Sequence, residues 1–162
     1  MKPLHLSWLL LAITACHKIQ SYPDTPVVHF KEFNYRDTSL VFTFVDGDGD
    51  VGFDSDTVSI NDTTDSAYNV FAPLEICREG RFSPFSELKY WRYRIADIPV
   101  PQGQNKTLKG EIKLRFHYLF GDSATLHMLT DTFRFVFWMN DKAFHRSNTD
   151  STPPLLKSRI GK

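Results

Sequence analysis

The most constraining feature of this chain is a strict period-two alternation near its C-terminal end. In Thr132–Met139, Phe133, Phe135, Phe137 and Met139 alternate with Arg134, Val136, Trp138 and Asn140. Successive side chains of a strand point to opposite faces, so this pattern builds one apolar face and one mixed face. A helix cannot use it, because its period is 3.6. The same reading recurs along the chain. Val27–Phe33, Leu40–Val45, Tyr68–Cys77, Lys89–Ile95, Glu111–Leu119 and His145–Thr152 are predicted strands, separated by Gly, Pro, Asn and Asp clusters. Pro73 marks an edge or a bulge in the third. No segment sustains a helical period. About seven short strands without intervening helices predict an all-β fold, an antiparallel immunoglobulin-like β-sandwich, with a small barrel as the alternative.

Composition narrows the class. The 162 residues include 19 basic and 19 acidic side chains, so no basic excess exists to attract nucleic acid. Apolar residues make up 41%, too many for a disordered chain, and two cysteines are too few for a disulfide scaffold. Fourteen phenylalanines suit a sandwich core. No Gly-x-Ser-x-Gly elbow, phosphate loop or dinucleotide fingerprint is present, and the six histidines lack zinc-site spacing. No catalytic residue is assigned, and a hydrolase would need carboxylates brought together from distant positions.

The N-terminus reads as an address. Lys2 precedes an apolar stretch, Leu4–Ile13, too short to span a bilayer but suited to the core of a signal peptide. The stretch ends in Ile13-Thr14-Ala15-Cys16, which resembles the bacterial lipobox. That resemblance implies cleavage before Cys16, acylation of its thiol and its new amine, and permanent attachment to a membrane. The expected organisation is a signal peptide over 1–15, a lipidated cysteine and extended tether over 16–26, a β-sandwich over 27–152, and a flexible tail over 153–162. His17 stands where an Asp would signal inner-membrane retention, and no acidic run follows Cys16. Both favour an outer-membrane lipoprotein facing the periplasm. Cys77, left without a partner, reads as a small buried hydrophobe.

The stretch Asp46-Gly47-Asp48-Gly49-Asp50-Val51-Gly52-Phe53-Asp54-Ser55-Asp56 packs five carboxylates into eleven residues. They repel one another unless a cation or solvent intervenes. Hard cations such as Ca²⁺ take about six to eight oxygens, which closely spaced aspartates on a glycine-kinked loop can supply. Asp46, Asp48, Asp50 and Asp54 match EF-hand spacing, but Val51 and Thr57 break it where Gly and Glu belong, and the flanks are strands. Two readings stand: a Ca²⁺ loop of another type, or a tight turn whose aspartates cap backbone groups. In an immunoglobulin-like sandwich the loops after Leu40–Val45 and Thr132–Met139 share one end. That places Asn140 and Asp141 near the acidic loop, so the candidate ligands are Asp46, Asp48, Asp50, Asp54, Asp56 and Asp141.

A second candidate surface is aromatic. Tyr90, Arg92 and Arg94 share one strand face, with Trp91, Tyr93 and Ile95 expected in the core. Tyr90, Arg92, Arg94 and Trp138 could present a patch for a protein or glycan partner.

Four motifs in order complete the pattern: Tyr22-Pro23-Asp24-Thr25-Pro26, Asp46 to Gly52, Lys109-Gly110-Glu111-Ile112, and Asp141-Lys142-Ala143-Phe144-His145-Arg146-Ser147-Asn148. Together with the lipobox they resemble a family of short lipoproteins of Bacteroidota. The resemblance implies a lipid-anchored β-sandwich and implies no activity. Two positions depart from it. Phe144 replaces a Gly, so a turn built on positive φ there would have to change. Lys142 replaces an Arg that could clamp a loop carboxylate. The function expected from these readings is a non-enzymatic binding module of the cell envelope. A structural accessory subunit of an outer-membrane complex is the alternative.

Overall fold

The computed structural model describes residues 21–53, 64–85, 91–121 and 123–162. Cys16, Asp54, Asp56 and Tyr90 lie outside the described residues, as does the expected signal peptide. The fold is all-β and sandwich-like, and every pairing between its strands is antiparallel.

The smaller sheet has three strands: β1 (Val27–Asn34), β2 (Ser39–Asp46) and β7 (Leu108–Arg115), with β2 central. The larger sheet is organised around β8 (Thr132–Met139). On one side of β8 lie β3 (Val70–Phe71) and β4 (Leu74–Arg78), flanked by β6 (Arg92–Tyr93) and β5 (Arg81–Pro84) respectively. Its other side carries β9 (Asp150–Ser151) and β10 (Leu155–Leu156).

The alternation that predicts β8 also builds the core. Phe133, Phe135, Phe137 and Met139 are all fully buried. They meet the inward series of β2, Leu40, Phe42 and Phe44. Phe42 stacks on Phe137 with centroids 4.8 Å apart, and Phe116 stacks on Phe135 at 4.0 Å. Such ring pairs add to the burial of apolar area that stabilises the sandwich.

Several expectations need correction. The third strand is interrupted at Pro73, but by neither an edge nor a bulge. Val70 pairs with Met139, Phe71 with Trp138, Leu74 with Phe135 and Ile76 with Phe133, an unshifted register. Pro73 accepts a hydrogen bond from the Val136 amide at 3.0 Å but has no N–H to return. The fifth strand does not run to Leu119. The β2 ladder ends at the Ser39–Arg115 pair, so later residues have no partner strand. The chain turns into α1 (His117–Gly121) and α2 (Ser123–Met128), where Phe116, Leu119 and Phe120 reach the core at helical spacing. These helices are too short to show a sustained period. The last predicted strand contracts to β9. Residues 153–162, expected as a flexible tail, include β10 on β8, bury Leu155, and send the Gly161 amide to the Tyr35 carbonyl at 2.9 Å. Cys77 is half-buried rather than buried.

Two asparagines act as short stretches of strand. The Asn148 side chain accepts from the Val28 amide at 2.8 Å and donates to the Val28 carbonyl at 2.9 Å. Asn69 treats Ile95 the same way. Each satisfies backbone groups that no ladder reaches.

Candidate metal centre

The centre forms where the two inward-facing series run out. On β2 the series Leu40, Phe42, Phe44 continues to Asp46, and on β8 the series Phe135, Phe137, Met139 continues to Asp141. Both aspartates therefore point inward, and both are fully buried. The ends of β2 and β8 lie at the same end of the sandwich, as the topology predicts. Asp46, Asp50 and Asp141 each bring one carboxylate oxygen into a group whose members all lie within 4.8 Å of one another.

The loop after β2 is shaped for this convergence. Gly49 (φ 72°) and Gly52 (φ 95°) adopt left-handed conformations. A Cβ on Gly49 would collide with the Lys106 carbonyl, and one on Gly52 with that of Ala96. The loop is tied down on several sides. Gly47 donates to the Pro23 carbonyl at 2.9 Å, and Phe53 to that of Ile95 at 3.0 Å. Ile98 donates to the Val51 carbonyl at 3.2 Å, and Lys142 to that of Asp50 at 3.0 Å. Val51, buried completely, anchors the loop in the core.

The electrostatics are unfavourable as they stand. Both Asp46 oxygens are buried and accept no hydrogen bond, and the same holds for one oxygen each of Asp48 and Asp50. Desolvation raises the Asp46 carboxyl to about 7, with the charges of Asp48, Asp50 and Asp141 adding to the rise. Desolvation, then Asp141 and Asp48, raise Asp50 to about 6. Buried acceptors without donors are rare in folded proteins, each costing about 1–3 kcal/mol.

No family model, curated protein or solved structure matches this chain. The donor set must therefore argue for itself. It is all oxygen and carboxylate-rich, the chemistry of a hard cation rather than of zinc or copper. Asp141 also carries an outer partner. Its Oδ1 accepts from the His145 amide at 2.7 Å, and its Oδ2 lies 2.9 Å from His145 Nδ1. That hydrogen bond raises the His145 pKa, and orienting contacts of this kind hold metal-binding carboxylates in place.

The two departures from the lipoprotein pattern resolve differently. Phe144 itself adopts the left-handed conformation, φ 64°, so this turn is built on positive φ and the phenylalanine carries the strain. Lys142 pairs with Asp97 instead of clamping the loop aspartates.

Of the aromatic-patch candidates within the described residues, Arg92 and Trp138 fall on the strands either side of β3, each paired with Phe71 between them. Arg92 pairs with Asp65 and lies 4.6 Å from the Tyr68 ring centroid, while Arg94 lies 5.6 Å from it and donates from Nε to the Ala67 carbonyl. Both are half-buried. Trp91, Tyr93 and Ile95, expected in the core, are half-buried and pack against its margin. Trp138 stacks on Phe71 at 5.3 Å, and the Arg146 guanidinium lies 4.2 Å from its ring centroid. Sequence reasoning missed Phe71 and Arg146. They approach Trp138 through strand pairing and the 140–146 turn, which no local pattern records.

Proposed function

We propose that this chain is a non-enzymatic binding module of the bacterial cell envelope, attached by lipid at Cys16, whose loop end is completed by a bound Ca²⁺ ion. The observation that carries the metal reading is the full burial of Asp46 with neither carboxylate oxygen hydrogen-bonded. Asp46, Asp50 and Asp141 would hold the ion, and Asp48, whose charge acts on both Asp46 and Asp50, adds a fourth carboxylate nearby. Ca²⁺ takes about six to eight oxygens at flexible geometry, which suits a loop ligand set better than the strict octahedron of Mg²⁺. The ion's charge would relieve the repulsion among these aspartates and join the ends of β2 and β8. The anchoring rests on the Ile13-Thr14-Ala15-Cys16 motif and its resemblance to a lipobox.

Two experiments check the two halves. Calorimetric titration of the full chain with CaCl₂ at pH 7.5 is expected to show one site, with affinity of about 10⁻⁵ to 10⁻³ M, the range from sensor sites to extracellular modules. No heat and no competing terbium luminescence at millimolar ion would exclude the metal. Radiolabelled palmitate should enter the wild-type chain in a bacterial host and not Cys16→Ser. Equal labelling of both would exclude the anchor.

A further inference from the structure

Beside the aspartate cluster the surface opens into a cleft of about 390 Å³, lined by Asp65, Phe71, Trp138, Asn140, Phe144 and Arg146. We propose that this cleft binds a neutral saccharide, and that the 141–146 turn forming its wall is held in shape by the metal. The second half rests on the Ca²⁺ reading above; the first does not.

The wall is unusual in what it exposes. Phe144 is 58% exposed, one of three large apolar side chains exposed among the described residues. It also holds a backbone conformation that bulky residues rarely adopt. A solvent-facing phenylalanine gains little from folding, so strain at such a residue points to a role outside the core. Its ring is positioned by Phe53, 5.7 Å away, a residue of the acidic loop. Opposite lies the stack of Phe71, Trp138 and the Arg146 guanidinium.

The polar groups select the ligand class. Asp65 is paired with Arg92 and the Arg146 guanidinium lies over the Trp138 ring, so the lining offers no free carboxylate for a cation and no cluster of cationic groups for a phosphate. Asn140 lines the cleft, and its buried amide oxygen has no hydrogen-bond partner. The exposed Phe144 ring beside planar amide and guanidinium groups suits a pyranose. Its C–H face packs on a ring, and its vicinal hydroxyls bond to the planar groups. The volume is that of a small-ligand site, about one or two sugar residues.

The link to the metal is covalent continuity plus hydrogen bonds. The Phe144 amide donates to the Asp141 carbonyl at 3.2 Å, and the Asp141 carboxylate receives the His145 amide. The Lys142 amide donates to the Asp50 carbonyl. Asp141 and Asp50, two of the metal-facing aspartates, thus hold both sides of the turn.

The test is a binding screen of the full chain against maltotriose, cellotriose, mannotriose and N-acetylchitotriose, read by tryptophan fluorescence and saturation-transfer NMR. At least one should bind, with affinity at least tenfold weaker in Phe144→Gly and in Arg146→Ala. Phe144→Gly removes the strained side chain but suits φ 64°, so it should fold at least as well as the parent. Chelation should weaken binding severalfold. No binding at about 10 mM sugar, or binding indifferent to Phe144→Gly, overturns the cleft assignment. Sugar binding unmoved by chelation, in a chain that does bind Ca²⁺, overturns the linkage. Sugar binding in a chain that fails to bind Ca²⁺ overturns the metal reading and the linkage, and leaves the cleft standing.

Discussion

Asp46→Asn should raise the melting temperature of the chain in EDTA and lower it, relative to wild type, in saturating Ca²⁺. Asp46 is fully buried, its oxygens lack donors, and its neighbours Asp48, Asp50 and Asp141 repel its charge. Without metal, the ionised carboxylate is a cost. An uncharged amide of the same shape removes that cost and can donate to the neighbouring carboxylates, a gain of about 1–2 kcal/mol. With metal, the same carboxylate is a ligand. At a hundredfold excess of free ion over Kd, binding stabilises the wild type by about 2.7 kcal/mol. For a chain of this size that is roughly 5–10 °C of melting temperature. The variant should show almost none of it. Differential scanning calorimetry of both proteins in both buffers gives the four values. A variant that melts lower in both buffers would mean that Asp46 is merely structural.

The second large effect is on pH. In EDTA, stability should fall as pH rises from about 4 to about 7. Asp46 and Asp50 have folded-state values of about 7 and about 6, both above the ordinary 3.8. The folded state therefore binds more protons than the unfolded state in this window. The stabilisation is fully present below the ordinary carboxylate value and is lost as pH climbs through the raised ones, an effect on the order of a few kcal/mol. Asp37 works in the opposite sense. Hydrogen bonds from Lys113 and Ser39 lower its pKa, so its contribution is present above the ordinary range and fades on acidification. Ca²⁺ should reverse the main trend, because it binds the ionised carboxylates and displaces their protons. Urea denaturation at pH 5, 6 and 7, with and without the ion, checks the sign. An apo stability that is flat or rising over that interval would contradict the raised values.

These effects trace back to features that the amino-acid order partly reveals. The inward series of β2 and β8 are visible as alternation, and each can be followed one step beyond its strand to Asp46 and Asp141. Sandwich topology then puts the two ends together. What alternation cannot show is the depth of burial, which depends on Val51 anchoring the loop and on carbonyls packed against Gly49 and Gly52. The Glu79–Gly80 hairpin turn was hidden for a different reason. Glu79 takes φ 50° beside Gly80 at φ 77°, and glutamate is not a typical residue for that conformation. The helices α1 and α2 escaped because one or two turns give too few repeats for a period. Residues 153–162 read as a tail because their composition is polar, yet Leu155 is buried, Ile160 packs against the core, and the Lys157 and Gly161 amides donate to the Asp131 and Tyr35 carbonyls. Arg92 and Arg94 looked like solvent-facing charges on a strand. Tyr68 and Asp65, more than 20 positions away in the chain, engage them instead.

The most direct measurement is diffraction from crystals grown with millimolar CaCl₂ at pH 7.5, using the anomalous signal to locate the ion. One peak is expected among Asp46, Asp50 and Asp141, with carboxylate oxygens at about 2.3–2.6 Å. A site without density, its carboxyls hydrogen-bonded to one another at that pH and ion concentration, would contradict the account.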